Sequence, residues 1–450
     1  MTPGEARPGR ELAYLFPAFP VFHQTFVLWE VLGVRRCGLD PKIYSLRGPS
    51  KRQQPEGEKI IPEVRYLPGW TSARLWRDNW ELLRRRPGVW FDAFRSVVLA
   101  WRSGADVRLE WPGARRPTWY NRLRGWYNTH PLLYLLRSLA LVPVAVHLAR
   151  KLREDGVGHL HAHWMTYPAT VAYVVHRLTG IPFSLSAHAY DIYMVQRMIP
   201  EKLRAASFVV TCAKANAAFL GSLAPDAAGR IHVLYHGVDT RRFRPGGNRG
   251  DGGGPLHLVS CGQLERYKGM HLLVDACGIL KTRGVDLRCR IVGEGPERRS
   301  LERQIRARGL EGTVELLGAL PQVELARILR ESDIFVLASE LAGRSRRRDV
   351  IANVVVEAMA SGLPVVASKV PGIEELVADG QTGCLFPPNR TDELARAILK
   401  LAAEPSLRRR FGEAARRRVV EEFDSEKNVR RLAELLRGCT SDRTESALVG

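Results

Sequence analysis

The chain has 450 residues, 45% of them hydrophobic and 26% charged, enough for two globular domains that each bury a core. The net charge is +21, from 68 Lys and Arg against 47 Asp and Glu, and this excess invites a polyanionic partner. No motif of a nucleic-acid-binding module accompanies it, which argues against nucleic acid and leaves an anionic membrane surface as the alternative. Arginine that merely fills solvated faces explains the charge equally well.

Composition also bounds the cellular setting. No stretch of about twenty apolar residues is apparent, so we expect no membrane-spanning helix. The polar start, Met1 to Arg10, lacks the apolar core of a signal peptide. The seven cysteines form no Cys-x-x-Cys pair and lie in apolar segments, which predicts reduced, buried thiols. Together these features favour a cytoplasmic protein, with a peripheral place at the inner face of the membrane as a further possibility.

The first half of the chain alternates short apolar runs with segments of helical periodicity, a pattern typical of βαβ units and a parallel sheet. A helix is predicted over 24–37. The strands predicted in this part span 12–16, 42–46, 158–161, 183–187, 208–212 and 231–235.

Residues 70 to 152 interrupt this alternation with a helical insert. Eight of the ten tryptophans lie between Trp70 and Trp126, interleaved with arginines. The apolar run from Pro131 to Pro143 that follows is too short and too interrupted to span a bilayer. Tryptophan and arginine on one helix face suit a membrane interface or a lipid-linked acceptor. The alternative is a helical cap on the first domain, with tryptophan in its core and arginine at its solvated rim.

A glycine-rich segment then marks a domain boundary. Six glycines in the nine positions 246–254 predict a linker, so the first domain is expected to span 1–245. A second domain over 255–420 is predicted to hold helices over 270–281 and 297–308. Its predicted strands span 256–261, 288–292, 314–317, 334–338 and 365–367. A helix over 421–438 is expected to pack back on the first domain, followed by a flexible tail over 439–450.

Two doubly wound α/β domains with a hinge are the architecture that this alternation implies. In such sheets ligands bind beyond the carboxyl ends of the strands. The cleft between the two domains is therefore the expected site.

Histidines stand at predicted strand ends in the first domain. His188 closes a strand, where it can meet a sugar hydroxyl or a developing charge. His159, His161 and His163 alternate with strand period, and three histidines so close together suggest a metal. No Cys or carboxylate follows at ligand spacing, so a packed strand with polar contacts is the favoured interpretation.

The loop after the first strand of the second domain carries the next chemical signal. Gly262 and Gly269 bracket a strand-to-helix turn, and Lys268 within it can neutralise a diphosphate. Gln263 and Arg266 lie in the same loop. A second turn contains Gly293 and Gly295 between a predicted strand and helix, which is weak evidence on its own because many βα turns share it.

Two carboxylates, Asp349 and Glu357, stand eight positions apart before the apolar run 364–367. The first is predicted in a loop and the second about two turns into a short helix that begins near Asn353 and Val354. Free N–H groups at a helix start bind phosphate oxygens, and a carboxylate can accept hydrogen bonds from sugar hydroxyls. The stretch therefore suits a sugar nucleotide.

These segments, in this order, resemble the retaining GT-B glycosyltransferases of the glycosyl transferases group 1 family (family 4). The resemblance also includes 13–20, 235–239 and 333–337, covers nearly the whole chain, and is closest to the bacterial exopolysaccharide and capsule branch. It implies a GT-B fold, with two Rossmann-like domains facing across a cleft. It also implies transfer of a hexose from a nucleotide-diphosphate sugar to a glycan or lipid-linked acceptor, with retention of configuration.

The resemblance assigns roles to individual residues. His188 and Asp349 would contact the donor sugar, Glu357 the ribose, and Lys268 with the helix start at Asn353 and Val354 the diphosphate. Gly262, Gln263, Gly293 and Gly295 would line the nucleotide. No metal or other cofactor is expected, because the chain has no Asp-x-Asp metal motif.

The chain departs from the family pattern at this site. Gln263 stands where the family has arginine, and Arg266 or Arg348, within the basic run 344–348, can supply the missing charge. Val350 and Ala352 replace the usual glycine and proline, and Gln24 replaces a glutamate. These changes predict that the donor is bound differently from the family pattern.

Three alternatives remain open at the sequence level. A nucleotide-sugar epimerase or a phosphorylase would keep the fold, but the acidic pattern resembles the transferase more closely and nothing marks a pyridoxal-binding lysine. A non-catalytic scaffold is the alternative of a different class, with a decayed site and the Trp/Arg insert binding membrane or a synthase partner. Binding of nucleotide diphosphates distinguishes the scaffold from the enzymes.

Overall fold

The computed structural model describes residues 11–22, 24–104, 130–246, 254–340 and 352–440, apart from the side chains of residues 189, 190 and 194. The chain divides into two compact units. Of the described residues, the first unit holds those up to Leu234 and those from Asn428 onward, and the second holds Tyr235 to Lys427.

The first unit is built on a parallel sheet of seven strands in the order β3-β2-β1-β4-β5-β6-β7. The direction of strand addition reverses between β1 and β4, and such a reversal opens a crevice at the carboxyl ends of the strands. The strands are β1 Glu11–Phe16, β2 Lys42–Ser45, β3 Arg65–Tyr66, β4 Val157–His163, β5 Phe183–Ala187, β6 Val209–Thr211 and β7 Ile231–Val233.

Helices cover both faces of this sheet, and α3 to α6 lie between β3 and β4, where the sequence predicts the insert. They are α1 Thr25–Arg36, α2 Pro55–Ile60, α3 Ala73–Arg85, α4 Pro87–Ser103, α5 Pro131–Ala140, α6 Val142–Glu154, α7 Tyr167–Thr179, α8 Ala189–Met194, α9 Ile199–Ala205 and α10 Lys214–Leu223. A C-terminal helix, Ser425–Thr440, places Leu432 and Leu436 in the core of this unit.

The expectation that no segment is long and apolar enough to cross a membrane is wrong. Helices α5 and α6 follow each other directly, and Pro131–Glu154 passes that test by length and composition. Pro131 and Pro143 do not interrupt it, because each stands in the first turn of its helix, where proline is tolerated. Of its most apolar window, 56% is buried, and nine of the thirteen residues of α6 are buried inside the unit, as in the core helix of a globular fold.

The second unit repeats the design with six parallel strands in the order β10-β9-β8-β11-β12-β13, reversing between β8 and β11. The strands are β8 Leu256–Cys261, β9 Leu287–Val292, β10 Val314–Gly318, β11 Ile334–Leu337, β12 Val365–Ser368 and β13 Gly383–Phe386. The helices are α11 Met270–Thr282, α12 Arg298–Ala307, α13 Gln322–Arg330, α14 Asn353–Ala360, α15 Ile373–Leu376, α16 Thr391–Ala403 and α17 Pro405–Glu422, and the C-terminal Ser425–Thr440 is α18.

Successive residues of the central strands of this unit enter two different cores. Leu258 and Ile334 join one apolar cluster, whereas the next residues, Val259 and Phe335, join another. Strands buried on both faces are continuously apolar in sequence, which is why they are easy to predict. The prediction of two doubly wound parallel α/β units is confirmed, and every predicted strand agrees within two residues at each end.

Candidate functional site

Two loops of the second unit interlock at the carboxyl ends of β8 and β9. The Gly262 N–H donates to the Val292 carbonyl at 3.0 Å, and the Leu264 N–H donates to the Glu294 carbonyl at 2.9 Å. A Cβ atom at Gly293, where φ is +146°, would lie 1.9 Å from the Gly262 carbonyl oxygen. No side chain fits between Gly293 and Gly262, so the two loops meet there through backbone atoms.

Lys268 ends a 3₁₀ turn, Arg266–Lys268, in the first of these loops. The turn is tied to the end of β11, because the Glu340 N–H donates to the Tyr267 carbonyl at 2.7 Å. The side chain of Lys268 runs beside Gly262, with its Cδ atom 3.6 Å from where a Cβ at Gly262 would be. The lysine side chain is therefore within van der Waals range of position 262.

Glu357 lies one turn into α14, closer to the helix start than the two turns predicted, and is only 7% exposed. Its Oε1 accepts a hydrogen bond from Gln322 Nε2 at 3.1 Å, and Gln322 Oε1 accepts one from Arg242 Nη1 at 3.3 Å. Burial raises the pKa of Glu357 to about 7, against the lowering effects of Gln322 and Arg242. Near neutral pH its carboxyl group is poised between its two protonation states.

The charges of both Lys268 and Glu357 act on Cys261. Burial has the largest effect on the pKa of this thiol and raises it, the charge of Glu357 raises it further, and the charge of Lys268 lowers it. Both charged groups therefore lie near the last residue of β8. The structure brings together two residues that are far apart in sequence and that the sequence assigns to one site.

The start of α14 is the third component. Ala352 precedes the helix and offers no side-chain cap, so the N–H groups of Asn353 and Val354 are not bonded by a capping side chain. Asn353 Oδ1 is buried without a hydrogen-bond partner among the described residues. Asp349, Val350 and the basic run 344–348, which includes Arg348, lie outside the described residues.

Gln263 and Arg266, the other polar residues that the sequence singles out in the Lys268 loop, differ in their surroundings. Gln263 is exposed. Arg266 is half exposed and lies between two carboxylates, 3.8 Å from Glu340 and 3.9 Å from Glu297. These acids offset its charge, so Arg266 is a weaker substitute for a phosphate-binding arginine than the sequence alone indicates.

In the first unit, His188 follows β5 and begins α8. Its N–H donates to Asp191 Oδ1 at 2.8 Å, which closes a capping box. Its ring lies among aromatic side chains, with centroid distances of 4.9 Å to Trp164 and 5.3 Å to Phe26. Trp164, at the end of β4, has φ of +72°, an uncommon conformation for a bulky residue.

Lys202, a buried lysine that the sequence did not single out, holds the loop after β4 by hydrogen bonds. Lys202 Nζ donates to the carbonyls of Met165 at 2.7 Å and Thr166 at 3.0 Å, and to the Tyr134 hydroxyl at 3.0 Å. Burial lowers the pKa of Lys202 and raises that of nearby Asp191. An ammonium group can donate all three bonds, and the charge of Asp191 raises the pKa of Lys202 against the effect of burial.

The three alternating histidines of β4 form a buried hydrogen-bonded row. Ser184 Oγ lies 2.8 Å from His159 Nε2 and 2.7 Å from His161 Nδ1. His163 Nε2 lies 2.9 Å from Glu30 Oε1, a carboxylate on α1 that ligand spacing in the sequence does not reveal. Glu30, His161 and His163 are close enough to share a cation. In the structure, however, His161 bonds serines and His163 bonds Glu30.

Comparisons with known proteins agree with this architecture. Residues 249–418, which hold Lys268 and Glu357, match the family model described as glycosyl transferases group 1. The chain is 35% identical over 208 residues to WcaL of Salmonella typhimurium, named for colanic acid biosynthesis; the match covers 46% of this chain and 51% of WcaL. It is 37% identical over 182 residues to the amylovoran biosynthesis glycosyltransferase AmsK of Erwinia amylovora, covering 40% of this chain and 44% of AmsK.

The match spans about half the length of these curated relatives. Among solved structures, HepE of Anabaena in complex with UDP superposes with a TM-score of 0.65 at 17% identity, over 95% of this chain and all of that one. The sucrose-phosphate synthase of Thermosynechococcus elongatus also gives 0.65, covering 95% and 98%. Residues 249–418 are therefore similar to the glycosyl transferases group 1 family, and the chain shares the GT-B fold of these solved structures.

Proposed function

We propose that the protein transfers a hexose from a nucleotide-diphosphate sugar to a glycan or lipid-linked acceptor, with retention of configuration, in exopolysaccharide biosynthesis. The observation that carries this proposal is the placement of Lys268 and buried Glu357 near the end of β8, beside two loops that meet through backbone at Gly262 and Gly293. A cation and a carboxylate placed in this way suit the diphosphate and the ribose of one ligand.

The diphosphate is the leaving group, and it gains negative charge as its bond to the sugar breaks. Lys268 and the N–H groups at the start of α14 are the groups proposed to stabilise that charge. We propose that no metal is needed, since the chain has no Asp-x-Asp motif. Arg348 and Arg266 are auxiliary candidates for phosphate contacts.

Glu357 is proposed to bind the ribose. An ionised carboxylate accepts hydrogen bonds from two hydroxyls, and such bonds favour its charged form. Burial raises the pKa of this carboxyl group to about 7, so donor binding is expected to shift it toward ionisation. Gln322 fixes the orientation of the group through the 3.1 Å hydrogen bond to Oε1.

His188 and Asp349 are proposed to contact the sugar itself. For both residues the proposal rests on the family resemblance, and for His188 also on its position after β5 with its backbone fixed by Asp191. The names of the relatives support the donor and the pathway: HepE is solved with UDP and with UDP-glucose, and AmsK is named for amylovoran biosynthesis. The seven free cysteines fit the reducing cytoplasm, where we place the reaction.

The test is a thermal-shift screen of nucleoside diphosphates and their sugars, followed by titration calorimetry with each hit. A ligand present at about a hundredfold its Kd stabilises the folded state by about 2.7 kcal/mol, which a thermal shift detects. Comparison of the ligands that bind then identifies both the base and the sugar. Lys268→Ala and Glu357→Ala are expected to weaken binding and abolish transfer. Lys400→Ala, which removes an exposed lysine elsewhere in the second unit, is the matched control and should bind as the parent does.

Three results would overturn the proposal. Full turnover by both variants would remove Lys268 and Glu357 from the site. No binding of any nucleotide by the parent protein would favour the non-catalytic scaffold, whereas interconversion of nucleotide sugars without an acceptor would favour an epimerase.

A further inference from the structure

The first unit carries nearly all of the exposed large apolar side chains among the described residues. Apart from Val323 and Val420 in the second unit, they all lie between positions 66 and 136. The members are Tyr66, Trp70, Trp76, Trp80, Val89, Phe91, Leu99, Leu132 and Leu136. A set this concentrated is uncommon on a monomeric soluble protein and marks an interaction surface.

Helix α3 presents one stripe of this surface. Trp76 and Trp80, four positions apart, point outward and are 42% and 67% exposed, whereas Leu75 on the inner face is fully buried. The Trp76 ring packs edge-on against Trp70 at 5.2 Å, and its Nε1 donates to the Trp70 carbonyl at 2.7 Å. The indoles are therefore held in place in the free protein.

Helices α4 and α5 also expose large apolar side chains. Phe91 and Leu99 on α4 are 61% and 51% exposed, and Leu136 on α5 is 60% exposed. Hydrogen bonds join the three helices: Trp90 Nε1 of α4 donates to Asn79 of α3 at 3.3 Å, and Trp101 Nε1 of α4 donates to the carbonyl of Pro131 at 3.1 Å. We call this layer of exposed residues on α3, α4 and α5 the insert face.

Basic residues outnumber acidic ones on α3, α4 and α5. The carboxylates there are engaged: Asp78 lies 2.6 Å from His147 and 2.9 Å from Arg150, Glu81 lies 2.9 Å from Arg150, and Asp92 lies 3.2 Å from Arg177. Among the described residues no carboxylate is within ion-pair distance of a group of exposed arginines. These are Arg74, Arg84, Arg86 and Arg102.

We propose that the insert face docks on an anionic lipid bilayer. Trp80, Phe91 and Leu136 enter the boundary between headgroups and acyl chains, and the arginines contact lipid phosphates. Aromatic and aliphatic side chains next to arginine on helices that lie flat are the composition of an interfacial membrane anchor. A second copy of the chain is a poorer occupant, because it would bring these arginines against like charges.

This docking goes beyond the proposed sugar transfer and does not depend on which nucleotide the second unit binds. None of its residues belongs to the Lys268 and Glu357 site. An interfacial enzyme of this kind meets lipid-linked molecules where their headgroups lie.

The test is flotation of the full chain with vesicles of phosphatidylcholine and phosphatidylglycerol in equal parts, compared with phosphatidylcholine alone. The parent is expected to float with the anionic vesicles and to be released by high salt. The triple substitution Trp80→Ser, Phe91→Ser, Leu136→Ser should lower partitioning by about a hundredfold, because it removes the three most exposed apolar side chains of the insert face. The double substitution Val323→Ser, Val420→Ser removes exposed apolar residues of the second unit and should float like the parent.

A charge series tests the arginines separately. Arg84→Glu, Arg86→Glu and Arg102→Glu should each weaken flotation at least about fivefold, the contribution expected of one basic residue near an anionic surface. Arg283→Glu, Arg303→Glu and Arg306→Glu, at exposed arginines of the second unit, are the controls.

Equal flotation of the parent and the triple variant would overturn the proposal, as would absence of the parent from anionic vesicles at low salt. Self-association of the parent that the triple variant abolishes, without any flotation, would assign the face to a second copy instead. Unchanged circular dichroism and thermal unfolding establish that each variant is folded. Trp80→Phe with brominated lipids adds a positional readout: binding persists, while quenching of tryptophan fluorescence falls.

Discussion

Gly269 lies so close to Ala338 that a Cβ atom at position 269 would come within 1.7 Å of the Ala338 carbonyl oxygen. Its φ of +67° is in the left-handed region that favours glycine. The pair fixes the Lys268 turn of β8 against the end of β11, the two strands between which the sheet order reverses. The position of the lysine is thus set by backbone contact.

We expect Gly269→Ala to destabilise the second unit by several kcal/mol and to weaken nucleotide binding, because the backbone at Ala338 must move. Gly284→Ala is the matched control: its φ is +77°, but nothing lies within 4 Å of the added methyl group. That variant should lose only about 1–2 kcal/mol, the cost of the left-handed conformation. Urea unfolding and nucleotide titration measure both effects, and equal losses in the two variants would contradict the contact argument.

The buried carboxyl of Glu357 predicts a pH dependence of stability. Its pKa in the folded protein is raised from 4.5 to about 7, so the folded state holds a proton that the unfolded state has lost within that window. The free energy of unfolding should therefore fall as pH rises from about 4.5 to 7. Glu357→Gln should remove this loss and be more stable than the parent above that window. Melts at acidic and alkaline pH test it, with Glu404→Gln, at an exposed position, as the control.

A substitution at the exposed Gln263 is expected to strengthen binding of the donor. Gln263→Arg adds a cation near Lys268, where the family has an arginine, and should tighten nucleotide-diphosphate binding by about tenfold, as one charge-assisted hydrogen bond does. Gln381→Arg, at another exposed glutamine of the same unit, adds the same charge away from the site. Calorimetry compares them. The same gain in both would indicate a general effect of charge, and no gain at Gln263 would place the diphosphate elsewhere.

Substitutions of Lys202 and Asp191 should have non-additive effects on the free energy of unfolding. Lys202→Met leaves the Asp191 carboxylate buried near no cation, and such a loss typically costs about 3–5 kcal/mol. Adding Asp191→Asn should restore part of it, because the unpaired charge is removed. A double-mutant cycle measured by urea unfolding reveals the coupling. Strictly additive losses would show that the two groups do not interact.

The sequence predicts the strands of both units well because central parallel strands are apolar on both faces. It misses two edge strands. Arg65–Tyr66 is only two residues long and exposed, and Gly383–Phe386 is short and follows a turn. A strand of two residues is too short to show a pattern, and the glycine that begins the second strand continues the turn signal before it.

The site was predicted in part. Gly262, Lys268, Gly293 and Glu357 are recognisable because their spacing follows βα turns and a helix start. Gln322, which orients Glu357, lies 35 residues earlier on another helix, and only the folded packing of α13 against α14 brings it there. Lys202 escaped notice for the same reason: a lysine in sequence gives no sign that its amine will end among buried carbonyls.

Helix α18 supplies Leu432 and Leu436 to a core whose other members lie between Leu12 and Leu234, and Val429 packs against Gly33. The first unit is therefore discontinuous along the chain. During synthesis its sheet leaves the ribosome long before the helix that completes its core, and the whole second unit is made in between. Until residue 436 has emerged, the apolar face of α1 stays open, so the first unit to be translated is the last that can finish folding.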